Sequence, residues 1–121
     1  MTYPKSVDEI MQTQDVPAIG ANERGLIVYI NDKFTEAYGW EKADLVNKSI
    51  TTIMPAKFRK AHQFGFSRFL QTEKANVAGQ PLPLALLFKD GHEEDAEHFI
   101  LAEKKDGHWH FAATITLRTT A

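Results

Sequence analysis

From Trp109 to Leu117 the chain alternates in period two, with Trp109, Phe111, Ala113, Ile115 and Leu117 set against His110, Ala112, Thr114 and Thr116. Successive side chains of an extended strand point to opposite faces, so this segment belongs in a sheet with two unequal faces. Asp106-Gly107 precedes it and suits a tight hairpin turn, and the strand before that turn spans residues 95–103. In a regular hairpin, odd-numbered residues of the last strand pair with even-numbered residues of the one before. Ile100 and Ala102 then lie beside Phe111 and Ala113 on the core face. The other face carries Phe99 and Leu101 among Glu97, Glu103, His110 and Thr114, an apolar patch for the N-terminal helix or a second copy to cover. A homodimer is the expectation that follows.

Upstream, Ser6-Val7-Asp8-Glu9 has the form of a capping box, and Val7, Ile10 and Met11 recur at helical spacing, predicting a short amphipathic helix that ends by Pro17. Residues 18–21 and 26–30 are apolar runs separated by Asn22-Glu23-Arg24-Gly25, a first hairpin. Residues 32–38 and 41–46 read as short helices, the first capped by Asn31 or Asp32 and closed by Gly39. The longest helical pattern covers residues 56–70, with Phe58, His62, Gly65 and Phe69 along one stripe. A turn over residues 72–80 leads into an apolar strand over residues 81–88, and Lys89-Asp90-Gly91 turns the chain into the next strand.

At 121 residues, 43% hydrophobic and 11% aromatic, the chain has material for one core and one domain. A net charge of −2 gives no basic field for nucleic acid or an anionic membrane. No apolar run is long enough to span a bilayer, and Lys5, Asp8 and Glu9 interrupt the stretch where a signal peptide would need continuous apolar residues, so a cytoplasmic location is expected. The absence of cysteine excludes disulfides, Cys-ligated zinc, Fe–S clusters and thioether-linked haem. The acidic run Glu93-Glu94-Asp95-Ala96-Glu97 reads as a solvated strand start, and no phosphate loop, nucleophile elbow or metalloprotease motif is present, so no enzyme is expected.

The run Asn31-Asp32-Lys33-Phe34-Thr35-Glu36-Ala37-Tyr38-Gly39-Trp40, then EKADLVN at 41–47, resembles the start of a PAS domain. Later landmarks follow in order: Ile53-Met54-Pro55, Arg59 and His62, Lys89-Asp90-Gly91, and the closing strand. The resemblance spans residues 18–117, leaving residues 1–17 as an N-terminal helical cap. It implies an α+β fold: an antiparallel sheet of about five strands, with short helices and one longer helix on one face. It also implies a sensory role, in which a small molecule or cofactor between the long helix and the sheet changes the sheet's packing and a signalling partner or output domain reads the change. A ligand-free interaction or dimerisation module is the alternative.

Within that family, Pro55-Ala56-Lys57-Phe58-Arg59-Lys60-Ala61-His62 is similar to the corresponding run of the FixL-type haem PAS domains. By that resemblance His62 is the haem iron ligand and Arg68 lies near a propionate. Phe66, Phe111 and Ile115 line the cofactor, and Gly65 leaves room beside a flat macrocycle. Haem b is thus the cofactor to test. The flavin-binding LOV type and the coumarate-binding type need a cysteine this chain lacks. The plain alternative for His62 is a histidine that bonds a backbone carbonyl and closes the helix against the sheet. His98, His108 and His110 are read as surface residues rather than metal ligands, and Trp40 and Trp109 as core aromatics.

Overall fold

In the computed structural model, which describes residues 3–73 and 78–117, Asp106 and Gly107 both take positive φ, 53° and 81°, as the common two-residue hairpin turn requires. The turn joins β4 (Glu93–Lys105) to β5 (His108–Leu117). Ile100 pairs with Ala113 and Ala102 with Phe111, the register expected from the alternation. Three further strands, β1 (Ala18–Asn22), β2 (Ile27–Ile30) and β3 (Pro81–Leu87), complete an antiparallel sheet ordered β2-β1-β5-β4-β3. Glu93, Glu94 and Asp95 are exposed at the start of β4, in keeping with a solvated strand start.

One face of the sheet packs against α2 (Asp32–Tyr38), α3 (Lys42–Leu45) and a short 3-10 turn (Ile50–Ile53) that the apolar pattern does not announce. Phe34, Tyr38, Leu45 and Ile53 from these pieces meet Ile19, Ile27, Leu86, Ala113 and Ile115 in the main core. Asn31 positions α2. Its Oδ1 accepts from the Ala18 and Phe34 amides, both at 3.0 Å, and its Nδ2 donates to the carbonyls of Thr13 and Val16 at 3.0 and 2.8 Å. Only 2% of Asn31 is exposed, so one side chain caps a helix and ties down the approach to β1. Gly39, at φ 85°, closes α2. The Tyr38 hydroxyl donates to the Ile115 carbonyl and the Trp40 indole N–H to the Leu87 carbonyl, which makes Trp40 a half-buried core aromatic.

The opposite face is covered by the chain's own N-terminus. Ser6 Oγ accepts from the Glu9 amide and starts α1 (Val7–Gln12). The Glu9 carboxylate accepts from the Lys5 amide rather than closing a full capping box. Val7 and Ile10 pack with Ala18 and Ala112, while Met11 and Leu101 pack around them. The small residues of β1 let α1 lie close: a Cβ on Gly20 would come within 2.5 Å of Met11 Sδ. Tyr3 stacks on Phe99 at 4.6 Å and its hydroxyl reaches Glu97. The Val7 amide donates to Glu103 and Lys105 pairs with Asp8. The Phe99–Leu101 patch, on which the expectation of self-association rested, is therefore covered within one chain.

The longest helix, α4 (Ala56–Thr72), lies over the core face of the sheet. The turn expected over residues 72–80 falls partly outside the described residues. Among the described residues no helix is long and apolar enough to cross a membrane.

Candidate functional site

Pro55 is buried at the start of α4, and Arg59 Nε donates to the Met54 carbonyl at 3.0 Å, anchoring the helix to the turn before it. The inward stripe differs from the one expected. Phe69 is its buried member, His62 and Phe66 are half-buried, and Phe58 is 44% exposed. The cause is Phe66. Its ring fits against Phe111 at 5.4 Å and lies over Gly25, where a Cβ would meet it at 3.5 Å. At about 100° per residue this turns the helix so that Phe58 and Gly65 move to the opposite flank. A Cβ on Gly65 would meet nothing within 4 Å.

Phe69 continues the contact, edge-on to Trp109 at 4.8 Å and to Phe111 at 5.4 Å. These aromatic contacts fill the space between helix and sheet near the β4–β5 turn, where Lys104 also pairs with Glu73. Toward β3 the floor is less covered: Leu84 pairs with the core residue Ala96 and so shares its face, yet it is 40% exposed. Beyond the Phe66 and Phe69 contacts the inner face of β3 is thus only partly covered among the described residues.

The expected site residues separate into groups. His62, Phe66 and Phe111 follow one another in contact, the imidazole parallel to the Phe66 ring at 5.9 Å and 11° and the Phe66 ring edge-on to Phe111 at 5.4 Å. Arg68 is exposed, and Ile115 lies in the main core, opposite His98 in the ladder. His62 Nδ1 is buried with no hydrogen-bond partner among the described residues, and burial holds the ring's pKa below that of ordinary histidine.

The carbonyl-bonded histidine considered for His62 exists elsewhere. His98, expected at the surface, is 9% exposed on the core face, with Nδ1 3.0 Å from the Ala96 carbonyl. Burial lowers its pKa and the Ala96 bond partly opposes that shift. The hairpin parity that turns Ile100 inward applies equally to His98 two residues earlier, so this placement could have been found from the register. His108 binds Glu23 on the β1–β2 turn and His110 faces Glu103 across the ladder. Among the described residues no three potential ligands gather into a metal site.

A family model described as the PAS fold matches residues 5–76. The fold is similar to the PAS domain of a Desulfitobacterium hafniense protein at TM-score 0.69 and 22% identity, covering 88% of this chain and 95% of that one. It is also similar to a Rhodobacter sphaeroides LOV protein at TM-score 0.68 and 9% identity, covering 92% and 64%. Drosophila melanogaster Cycle PAS-B, solved with bound ethylene glycol, matches at TM-score 0.65 and 11% identity, covering 84% and 99%. At these identities the structural likeness concerns the fold alone. No curated protein matches the chain.

Proposed function

Since the chain belongs to the PAS family, whose members are generally sensory modules of signal transduction rather than enzymes, we propose that it is a sensor whose cleft between α4 and the inner sheet face holds a small organic molecule. The observation that carries this reading is His62 on the helix, whose Nδ1 is buried with no hydrogen-bond partner among the described residues, together with an apolar sheet floor left partly uncovered at Leu84. Buried polar atoms are normally satisfied, and unsatisfied ones in a cleft point to a missing partner. Relay would run through β4. His98 faces the cleft, while its neighbours Glu97 and Phe99 face outward and hold Tyr3. A ligand that shifts β4 changes how the N-terminal segment is held, and a partner or output domain reads that change.

Haem fits these residues poorly. An iron-bound imidazole normally donates its second N–H to an acceptor that orients the ring, whereas His62 Nδ1 is buried with none among the described residues. Phe66, stacked on His62 and wedged against Phe111, takes the space beside the ring. Arg68, the expected propionate partner, is exposed.

The test combines an absorbance spectrum, as isolated and after incubation with haem, with a melting-temperature screen against small uncharged organic compounds. A ligand at about 100 times its Kd adds about 2.7 kcal/mol, or about 10 °C in melting temperature for a chain of this size. We expect a featureless spectrum and a set of stabilising compounds whose effect is lost in Leu84→Trp, which fills the cleft. A Soret band that disappears in His62→Ala would make haem the ligand instead. No stabilising compound and no spectrum would leave the second reading, an interaction module, which the 71% exposure of Phe64 on the outer side of α4 favours.

A further inference from the structure

Charge is unevenly placed along this chain. Between residues 56 and 72, α4 carries Lys57, Arg59, Lys60 and Arg68 and no acidic residue, whereas residues 90–97 hold Asp90, Glu93, Glu94, Asp95 and Glu97 and no Lys or Arg. At about 100° per residue, Lys57, Lys60, Phe64 and Arg68 share the side of α4 turned away from Phe66 and Phe69. All of them are exposed, Phe64 at 71%. Among the described residues Lys57, Lys60 and Arg68 enter no ion pair.

A surface of the opposite sign lies at the far edge of the sheet. Leu86 belongs to the main core, so Pro83, Ala85 and Leu87, which alternate with it, lie on the outer face, opposed to Glu97, Asp95 and Glu93. On that face α1 and Tyr3 pack over β1, β5 and β4 as far as Phe99. Pro83 stays exposed, and Ala85 and Leu87 are half-buried. Glu93 and Asp95 are exposed and enter no ion pair among the described residues. The edge strand therefore offers a short apolar shelf beside two unpaired carboxylates.

The two surfaces also match in spacing. Lys60, Phe64 and Arg68 follow one another at about 6 Å along a helix, and Glu93, Asp95 and Glu97 at about 6.5 Å along a strand. One large ring held between cations, against an apolar shelf bordered by acids, has the make-up of an anchored interface with a charged rim. We propose that the outer side of α4 docks on the outer face of the β3–β4 edge of a second copy of this chain, with Phe64 on the Ala85–Leu87 shelf and Lys60 and Arg68 beside Asp95 and Glu93. Since α4 covers the inner face and the shelf lies on the outer one, the contact is head-to-tail rather than two-fold. An anionic bilayer is a poorer occupant. A membrane-surface helix presents an apolar stripe, and here Phe64 stands among cations with Phe58 about 120° away round the helix. This association goes beyond the sensor reading and does not depend on it.

Light scattering behind size exclusion, over a concentration series of the full chain, tests it. At low ionic strength the mass should rise above that of one chain, and at about 1 M salt, where the Debye length is about 3 Å, it should return to one. Lys60→Glu with Arg68→Glu, and Glu93→Lys with Asp95→Lys, should each run as a single chain, and an equimolar mixture of the two should associate again, because the native α4 of one meets the native edge of the other. A mass of one chain under every condition overturns the inference. So does association that survives in both variants, or a mixture that stays dissociated. A single chain that instead sediments with phosphatidylserine vesicles, and loses that binding in Lys60→Glu with Arg68→Glu, overturns it in favour of a lipid surface. Should either variant not fold, Phe64→Ser decides: a return to one chain supports the contact, and an unchanged mass overturns it.

Discussion

Replacing Asn31 with alanine removes four hydrogen bonds made by a single buried amide. The Ala18 and Phe34 amides lose their acceptor, and the Thr13 and Val16 carbonyls lose their donor. Phe34 loses an N-cap interaction, about 1 kcal/mol by itself. The Ala18 amide, beside a fully buried residue, loses its side-chain partner in a region that water does not readily enter. Counting about 1 kcal/mol for each of the four groups left without its partner, the whole change should cost about 3–5 kcal/mol. At about 4 °C per kcal/mol for a chain of this length, the melting temperature should fall by about 12–20 °C. The assay is urea unfolding followed by circular dichroism, with melting curves alongside. Asn31→Ser should recover only the cap, about 1 kcal/mol. Asn31→Asp keeps the oxygen that accepts from both amides but turns its second oxygen toward two carbonyls, so at neutral pH it should lose about as much as alanine. A loss below about 1 kcal/mol in Asn31→Ala would refute the idea that this side chain holds α2 and β1 together, because the groups would then have found other partners.

Further outcomes follow from single contacts. Tyr38→Phe removes the hydroxyl that donates to the Ile115 carbonyl and should cost about 1–2 kcal/mol in the same urea assay. His98 and His62 have pKa values lowered by burial, so the unfolded chain binds more protons than the folded one at mildly acidic pH. Their contribution is fully present above the unfolded histidine range and is lost as pH falls through that range toward the folded values. His92, raised by its bonds to Glu94 and Asp90, acts in the opposite sense. His98→Phe should therefore flatten the fall in stability as pH drops below about 6.5; an unchanged slope would count against a neutral His98. Phe64→Ser, at a 71% exposed position, should leave stability within about 0.5 kcal/mol and, if α4 carries a protein interface, should lower the apparent mass in size-exclusion chromatography with light scattering.

The parts of the fold that could be read in advance are those governed by local rules. The alternation over residues 109–117 and the Asp106-Gly107 turn determine a register, and the register determines which face is buried. Asn31 and Gly39 bound α2 because one accepts from N3 and the other tolerates positive φ. The stripe on α4 was less legible, since His62, Gly65, Phe66 and Phe69 lie within one broad face. Which of them points inward depends on Phe66 meeting Gly25, a contact 41 positions apart in the numbering from 25 to 66. The fate of the outer apolar patch was also beyond local reasoning, because it turns on Tyr3 reaching Phe99. At the site, a local run resembling a haem motif marks His62, while residue type alone groups His98 with His108 and His110 at the surface. The difference between them is burial and parity on β4, which a reading by residue type overlooks.

The most direct test of the sensor reading is residue-resolved. Amide nitrogen–proton correlation spectra of the whole chain, recorded with each stabilising compound, should show shifts concentrated at His62, Leu82, Leu84, His98 and Ile100, with smaller shifts at Tyr3 and Phe99 on the far side of β4. Shifts confined to the outer side of α4 around Phe64, or no saturable shift at any cleft residue, would contradict a ligand cleft and make the chain an interaction module.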